Sequence, residues 1–311
     1  MKVRIVCSGT QPDFDFKVHQ AFVYDQVESI AAGYPETEFQ YFFIKQKGVA
    51  GYLREFLRLR SEIKENPCDL IHAHFGLAAF LAVLQRKEPV VATFHGSDIN
   101  HPKTRIISAV VNVLARASIF VSEGLKKKAL CTIRSTVIPC GVDLSLFFPR
   151  DQVLCRKELG LDPKKKYILF ASHFDNPVKN YKLLQEALKQ WDGRAPEVLE
   201  LKNRTRAEVP ILMNAADVCV LTSFTEGSPQ FIKEALACNR PIAATDVGDI
   251  SELIKGVENC RILTFVPENV RQAIDSLLEK KLSNGRKNME RLDSRVVAKL
   301  VSEVYKSLRK S

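Results

Sequence analysis

The sequence predicts an α/β fold made of two doubly wound halves, each built on a parallel sheet. Three observations carry that prediction. Short β-branched runs alternate with longer segments of helical period, the order expected of parallel strands joined by crossover helices. The alternation starts again after a turn-like stretch at residues 140–150. The chain has 311 residues, more than the roughly 250–300 at which single cores commonly stop growing.

In order along the chain, Val3–Val6 reads as a strand, Ala21–Ala32 as a helix and Phe39–Ile44 as a second strand. A helix through Leu53, Phe56, Leu57 and Ile63 follows. Strands are then expected at Asp69–His74, Pro89–Phe94, Ala117–Val121 and Thr136–Pro139, with helical segments between them. Tyr167–Phe170 opens the second series, continued by Val198–Leu201, Val218–Leu221, Ile242–Thr245 and Arg261–Phe265. A last helix spans Val296–Leu308, with Val297, Leu300, Val301, Val304 and Leu308 as its apolar positions. The expected organisation is a first Rossmann-like domain over 1–144, a second over 145–294, and a C-terminal helix over 295–311 that can pack back on the first. In such sheets ligands bind beyond the carboxyl ends of the strands, so the residues just after each strand matter most, and a cleft between the halves is the expected site.

Composition narrows the function classes. Hydrophobic residues make up 46% and charged residues 26%, an ordinary globular balance rather than a disordered or fibrous one. The longest stretch without polar side chains, Gly76–Leu84, is far short of the roughly 20 residues that span a bilayer. The apolar run after Met1 is too short for a secretory signal, so a cytoplasmic protein is expected. Eight cysteines are scattered without a CxxC pair and read as free thiols in a reducing compartment. The net charge of +10 is spread over both halves, +4 for residues 1–145 (18 basic, 14 acidic) and +6 for the rest. The runs Lys126–Lys128 and Lys164–Lys166 lack interleaved aromatics and read as solvated faces, so nucleic acid is not an expected partner.

The most informative segment is Thr222–Cys238, which follows the strand Val218–Leu221. Ser228-Pro229 has the form of an N-cap followed by the first helical residue. Glu226 then lies on the loop before a helix, and Glu234 about a turn and a half inside it. Amides at that helix start suit an anion such as a diphosphate. A carboxylate at Glu234 reaches past it to the vicinal hydroxyls of a sugar, while Glu226 stands where a phosphate-linked carbon would lie.

Glu226, seven residues, Glu234, within Glu-Gly-Ser-Pro…Lys-Glu-Ala-Leu-Ala, resembles the E-x7-E motif of GT-B retaining glycosyltransferases of family 4. Asn214–Val218 and Pro241–Gly248 are similar to the segments that flank it there. Val137–Asp143 with Phe147 resembles the hinge stretch, with Cys140 where Asn is more usual. Asp69–His74 and Thr93–Asp98 resemble strand ends of the acceptor-side domain. The resemblance covers nearly the whole chain and implies transfer of a sugar from a nucleotide diphosphate sugar, with retained anomeric configuration and no metal, to a sugar or lipid-linked acceptor. Cell-envelope polysaccharide or glycolipid synthesis is the implied setting. It assigns Glu226 and His95 to the reacting sugar, Glu234 to the ribose and Lys179 to the diphosphate. Along the same segment it adds Gly227, Ser228, Pro229, Phe231 and Ile232 to the donor-binding set. A fixed ammonium at Lys179 would stabilise the charge growing on the leaving phosphate.

The chain departs from the family pattern at three places. Phe174 stands where an Arg often precedes the lysine, with His173 the nearest replacement cation. The glycine-rich loop after the first strand is reduced to Ser8-Gly9-Thr10, leaving Gly9 as the phosphate contact. The stretch Trp191–Val209 is short for a strand and loop that seat the base. Rival readings are a nucleotide-sugar epimerase of the same fold and a catalytically lapsed nucleotide-sugar-binding subunit; the absence of G-x-G-x-x-G disfavours a dehydrogenase. His72, His74, His95 and Asp98 as a metal site is the weaker reading of those residues. The helix Gly51–Glu65, with arginines beside its apolar positions, suits either packing on the sheet, the plainer reading, or peripheral contact with an anionic membrane surface.

Overall fold

In the computed structural model, residues 1–193, 195–280 and 282–308 are described. They form two compact units. One comprises Met1–Gly141 and the C-terminal helix, and the other is Val142–Asp293.

The first unit holds a six-stranded parallel sheet: β1 Lys2–Ser8, β2 Glu38–Ile44, β3 Leu70–His74, β4 Val90–Phe94, β5 Ala117–Phe120 and β6 Ser135–Val137. The order is β2-β1-β3-β4-β5-β6. Every residue of β3 and β4 is buried, which is why these strands read as continuous apolar runs rather than alternating ones. Alternate side chains serve opposite faces. Ile71 and Ala73 join the core on one face, while Leu70 joins Val3, Ile5, Val27 and Ile30 on the other.

The final helix, Ser294–Leu308, completes that second face. It packs on the helix Ala21–Gly33, and its buried stripe is Val297, Ala298, Val301, Ser302 and Tyr305. Leu300, one of the apolar positions in the sequence, is instead 38% exposed. The helix through Leu53 starts at Gly48 and carries two stripes. Gly51, Glu55, Leu59 and Ile63 face the sheet, whereas Leu53 and Leu57 are exposed.

The second unit holds β7 Tyr167–Phe170, β8 Glu197–Glu200, β9 Val218–Leu221, β10 Ile242–Thr245 and β11 Cys260–Leu263. They are parallel, in the order β11-β10-β9-β7-β8. β7, β9 and β10 are wholly buried, and their residues alternate between two cores. Both sheets change direction of winding once, between β1 and β3 in the first and between β7 and β9 in the second. At such a switch point the loops leaving two neighbouring strands diverge to opposite faces and open a crevice.

All eight cysteines are free, and six of them are buried. Burial pushes the thiols of Cys7 and Cys238 up to about 12, so they pack as small apolar groups. Among the described residues, no helix is long and apolar enough to cross a membrane.

Candidate functional site

The crevice of the second sheet is framed by the loops after β7 and β9. The chain leaving β7 makes a short 3-10 turn at Pro177–Lys179, capped by the Asn176 side chain, and Asn180 takes a left-handed conformation. The loop after β9 is tied to this turn. The Thr222 hydroxyl donates to the Lys179 carbonyl at 2.8 Å, and the Phe224 amide donates to the Val178 carbonyl at 2.9 Å. A third strand contributes through the Thr245 hydroxyl, which donates to the Ser223 carbonyl at 2.8 Å.

This stitching brings Lys179 and Glu226, 47 residues apart, into an ion pair at 2.6 Å. The same Glu226 oxygen accepts from the Ser223 hydroxyl at 2.6 Å. Both side chains of the pair retain some exposure, 22% for Lys179 and 14% for Glu226. They are held in place yet open to a ligand. A lysine ammonium has three donors, so one bond to Glu226 leaves capacity for phosphate oxygens.

The loop after β10 fixes the segment behind Glu226. Gly248 has φ +67°, and a Cβ there would come within 2.9 Å of the Gly227 carbonyl oxygen. Only glycine allows both the backbone conformation and that approach. The Ser228 hydroxyl donates to Asp249 at 2.7 Å. Burial raises the Asp249 carboxyl, opposed by the Lys233 charge and the Ser228 bond. The helix accordingly starts one residue later than its sequence suggests. Pro229 is the cap and Gln230–Ala237 is helical, because Ser228 is turned toward Asp249 rather than toward the helix amides.

Glu234 lies in this helix, 4% exposed. Its partner is Arg206, 2.5 Å away, whose guanidinium also sits over the Phe147 ring at 4.6 Å. A nearly buried carboxylate needs such a cation. Arg206 was not identified from sequence: it lies in the short, patternless stretch between Trp191 and Val209, 28 residues from Glu234. The other residues missed are Thr222, Ser223 and Thr245, fully buried hydroxyl residues at the ends of β9 and β10. Polar side chains at the ends of otherwise apolar strands were the available signal.

Four expected donor contacts take other roles. Ile232 is fully buried in the core, and its amide donates to the Pro229 carbonyl. Phe231 is 6% exposed and joins the same core. His173 is half-buried and pairs with Asp175, which holds that carboxyl below its usual range. The position expected to carry Arg is filled for packing: Phe174 stacks on Tyr181 with ring centroids 3.9 Å apart. Gly9 donates its amide to the Ile44 carbonyl at 2.9 Å, and a Cβ there would meet Phe43 at 2.9 Å. Glycine at this position is thus explained by close packing.

In the first unit, the ends of β3 and β4 carry a histidine cluster. His72 lies between the Tyr305 hydroxyl at 2.6 Å and the Thr93 hydroxyl at 2.7 Å. His95 lies 3.0 Å from His74 and 3.8 Å from the Cys140 sulfur, with its ring among Phe22 and Phe75. Burial lowers His72 to about 3 and holds His74 well below its ordinary value. Both are neutral at ordinary pH. Asp98 is 3% exposed and accepts from the amides of Gly76, His95 and Gly96. It braces the loop that presents His95.

Two doubly wound parallel sheets, of six and five strands with flanking helices, are the architecture of the GT-B class. Comparison with known proteins agrees: residues 1–146 match the model described as Glycosyltransferase Family 4, and residues 184–280 match Glycosyl transferases group 1. The two matches, each over less than half of the chain, together support a GT-B glycosyltransferase of family 4 type. A similar relative is the putative teichuronic acid biosynthesis glycosyltransferase TuaC of Bacillus subtilis, 32% identical over 213 residues, 60% of this chain and 55% of the relative. Another is a D-inositol 3-phosphate glycosyltransferase of Pseudarthrobacter chlorophenolicus, 24% identical over 65% of this chain and 60% of the relative. The chain thus spans well under two thirds of the length of either. Among solved structures, sucrose-phosphate synthase from Thermosynechococcus elongatus superposes with a TM-score of 0.81 at 16% identity, covering 99% of both chains. HepE of Anabaena, solved with UDP and glucose, gives 0.78 at 20% identity, covering 99% of this chain and all of that one.

Proposed function

We propose that this chain transfers a sugar, with retention of configuration, from a nucleotide diphosphate sugar to a sugar or lipid-linked acceptor, without a metal. The observation that carries the reading is the Lys179–Glu226 pair at the switch point of the second sheet, 2.6 Å apart and partly exposed. A fixed ammonium beside a helix start is the arrangement needed to stabilise a departing diphosphate, whose negative charge is greatest in the transition state. Glu226, held by Lys179 and Ser223, faces the carbon from which that diphosphate leaves. Glu234 takes the ribose hydroxyls, and Arg206 orients its carboxylate. The family pattern also assigns His95 to the donor sugar. Gly227, Ser228 and Pro229 shape the loop between the two carboxylates.

UDP-sugars are the first donors to test, since the Anabaena structure contains UDP and glucose. The likeness to TuaC favours a cell-envelope polysaccharide or glycolipid as product. A thermal-shift screen of UDP-, GDP- and ADP-sugars identifies the donor, because a ligand of the folded state raises apparent stability with occupancy. The reading expects one class to stabilise wild type and Lys179→Ala to weaken that class about tenfold or more, the usual consequence of losing a charge-assisted contact. Stabilisation by no nucleotide sugar would contradict it. Binding without transfer to any acceptor would leave a nucleotide-sugar-binding subunit, and sugar interconversion without acceptor an epimerase.

A further inference from the structure

The chain passes from β3 to the helix Gly76–Leu84 through a single residue, Phe75. Its backbone lies at φ 71° and ψ 146°, beside a region that is essentially glycine's alone, and a bulky side chain held there costs stability. The other six non-glycine residues with positive φ among the described ones are arginines and asparagines at φ 50° to 58°, values of the small left-handed region. After β4, the turn that follows His95 is made by a glycine, Gly96 at φ 136°. Glycine would serve at position 75 as well, so the phenyl ring is kept for another reason. Both backbone groups of Phe75 are held in place: its amide donates to the Thr93 carbonyl and its carbonyl accepts from the Ala79 amide, each at 2.9 Å. The turn cannot relax without giving up one of these bonds.

Core packing does not supply that reason. Phe75 is half-buried and, among the described residues, belongs to none of the hydrophobic cores. It borders a pocket with Leu77, Ser97 and Thr104. Its ring partners are His95, with centroids 4.6 Å apart and planes at 43°, and Phe22 at 6.1 Å. Phe22 in turn lies 4.8 Å from the same imidazole. Two phenyl rings thus bear on an imidazole whose nitrogens lie 3.0 Å from His74 and 3.8 Å from the Cys140 sulfur. Aromatic contact of this kind restricts the rotamers open to the imidazole. A side chain that acts at a reacting sugar gains from being placed before the ligand arrives, since a misplacement of about 1 Å can cost about a hundredfold in rate.

We propose that Phe75 is a positioning residue: its strained turn holds the phenyl ring against His95 and fixes the imidazole in one orientation. The inference rests on the proposed role of His95 at the donor sugar. The chain has six histidines, so nuclear magnetic resonance of the full chain with isotope-labelled histidine resolves them, His95→Gln assigning the His95 ring signals. In wild type these signals should be shifted by the neighbouring phenyl rings. In Phe75→Gly the shift should shrink and the signals should broaden or double. Glycine relieves the backbone, so the melting temperature should stay the same or rise. Sugar transfer should fall about tenfold or more, with nucleotide affinity changed by less than about threefold. Phe75→Tyr, which keeps the ring, should retain both the His95 signals and transfer. Unchanged His95 signals in Phe75→Gly overturn the proposal, and so do altered signals with full transfer. A melting temperature lowered by Phe75→Gly also overturns it, since the ring would then be ordinary packing. Were the wild type to transfer no sugar, the reading of the site would fail, while the histidine signals would still decide whether Phe75 places the imidazole.

Discussion

Arg206 donates to Glu234 across 2.5 Å, joining the loop before the helix Val209–Ala215 to the helix Gln230–Ala237. The pair sets a cation against the carboxylate expected to hold a ribose, a side chain only 4% exposed. Arg206→Ala removes this cation from a nearly buried carboxylate, which costs about 2–4 kcal/mol, the lower end applying because the arginine is 22% exposed. Chemical denaturation should show that loss. In the double variant Arg206→Ala/Glu234→Ala the two costs should fall short of additivity by at least about 1 kcal/mol. Additive costs would mean that the pair contributes nothing as a pair.

Gly248 sets the position of the loop that carries Glu226. Alanine there must accept φ +67° and a Cβ 2.9 Å from the Gly227 carbonyl oxygen. The conformation alone costs roughly 1–2 kcal/mol, and relieving the contact requires the loop to move. Gly248→Ala should lower stability by about that amount and weaken nucleotide-sugar binding as well. Gly256→Ala is the control. It has a similar φ of +72° but open space at the Cβ, so it should lose stability without losing donor affinity. Equal donor affinity in both variants would remove Gly248 from the site.

The buried histidines give stability a defined pH dependence. His72, enclosed by Tyr305, Thr93 and His74, is lowered by burial from an ordinary value near 6.5 to about 3. The unfolded chain therefore binds a proton that the folded chain refuses between those values. The stabilisation is fully present above about pH 6.5 and is lost as pH falls toward 3. Each pH unit within that window costs about 1.4 kcal/mol per such histidine. Urea unfolding should show a clear loss between pH 7 and pH 5, and His72→Gln should flatten the slope. An unchanged slope in the variant would show that His72 is not held neutral by the fold.

Much of the architecture was legible because the inner strands are buried on both faces. β7, β9 and β10 coincide with their sequence runs, since a short run with an uninterrupted apolar stretch of three or four residues has few other uses. The edge strands were less sharply bounded. β11 has exposed residues at Arg261 and Ile262 and was displaced by one residue at its start. At the site, Glu226, Lys179 and Glu234 were legible through the spacing of one motif and its context. Arg206 was not, because an ion pair between a loop and a distant helix leaves no periodic trace. Ser228 was misassigned as a cap for a related reason: its hydroxyl prefers Asp249, 21 residues away, over the helix amides. The exposure of Leu53 and Leu57 was hidden too, since sequence spacing does not tell which of two apolar stripes meets the sheet.

The central claim is that Glu226, fixed by Lys179 and Ser223, acts at the reacting carbon of a nucleotide-bound sugar. Glu226→Gln keeps the size and one acceptor of the side chain while removing its charge. The direct measurement is sugar transfer from the donor identified by thermal shift, made on wild type and Glu226→Gln, with nucleotide affinity measured on both. The account predicts a loss of transfer of about 100-fold or more, typical of removing a group that acts in the transition state, with nucleotide affinity changed by no more than about threefold. Full transfer activity in Glu226→Gln would contradict it.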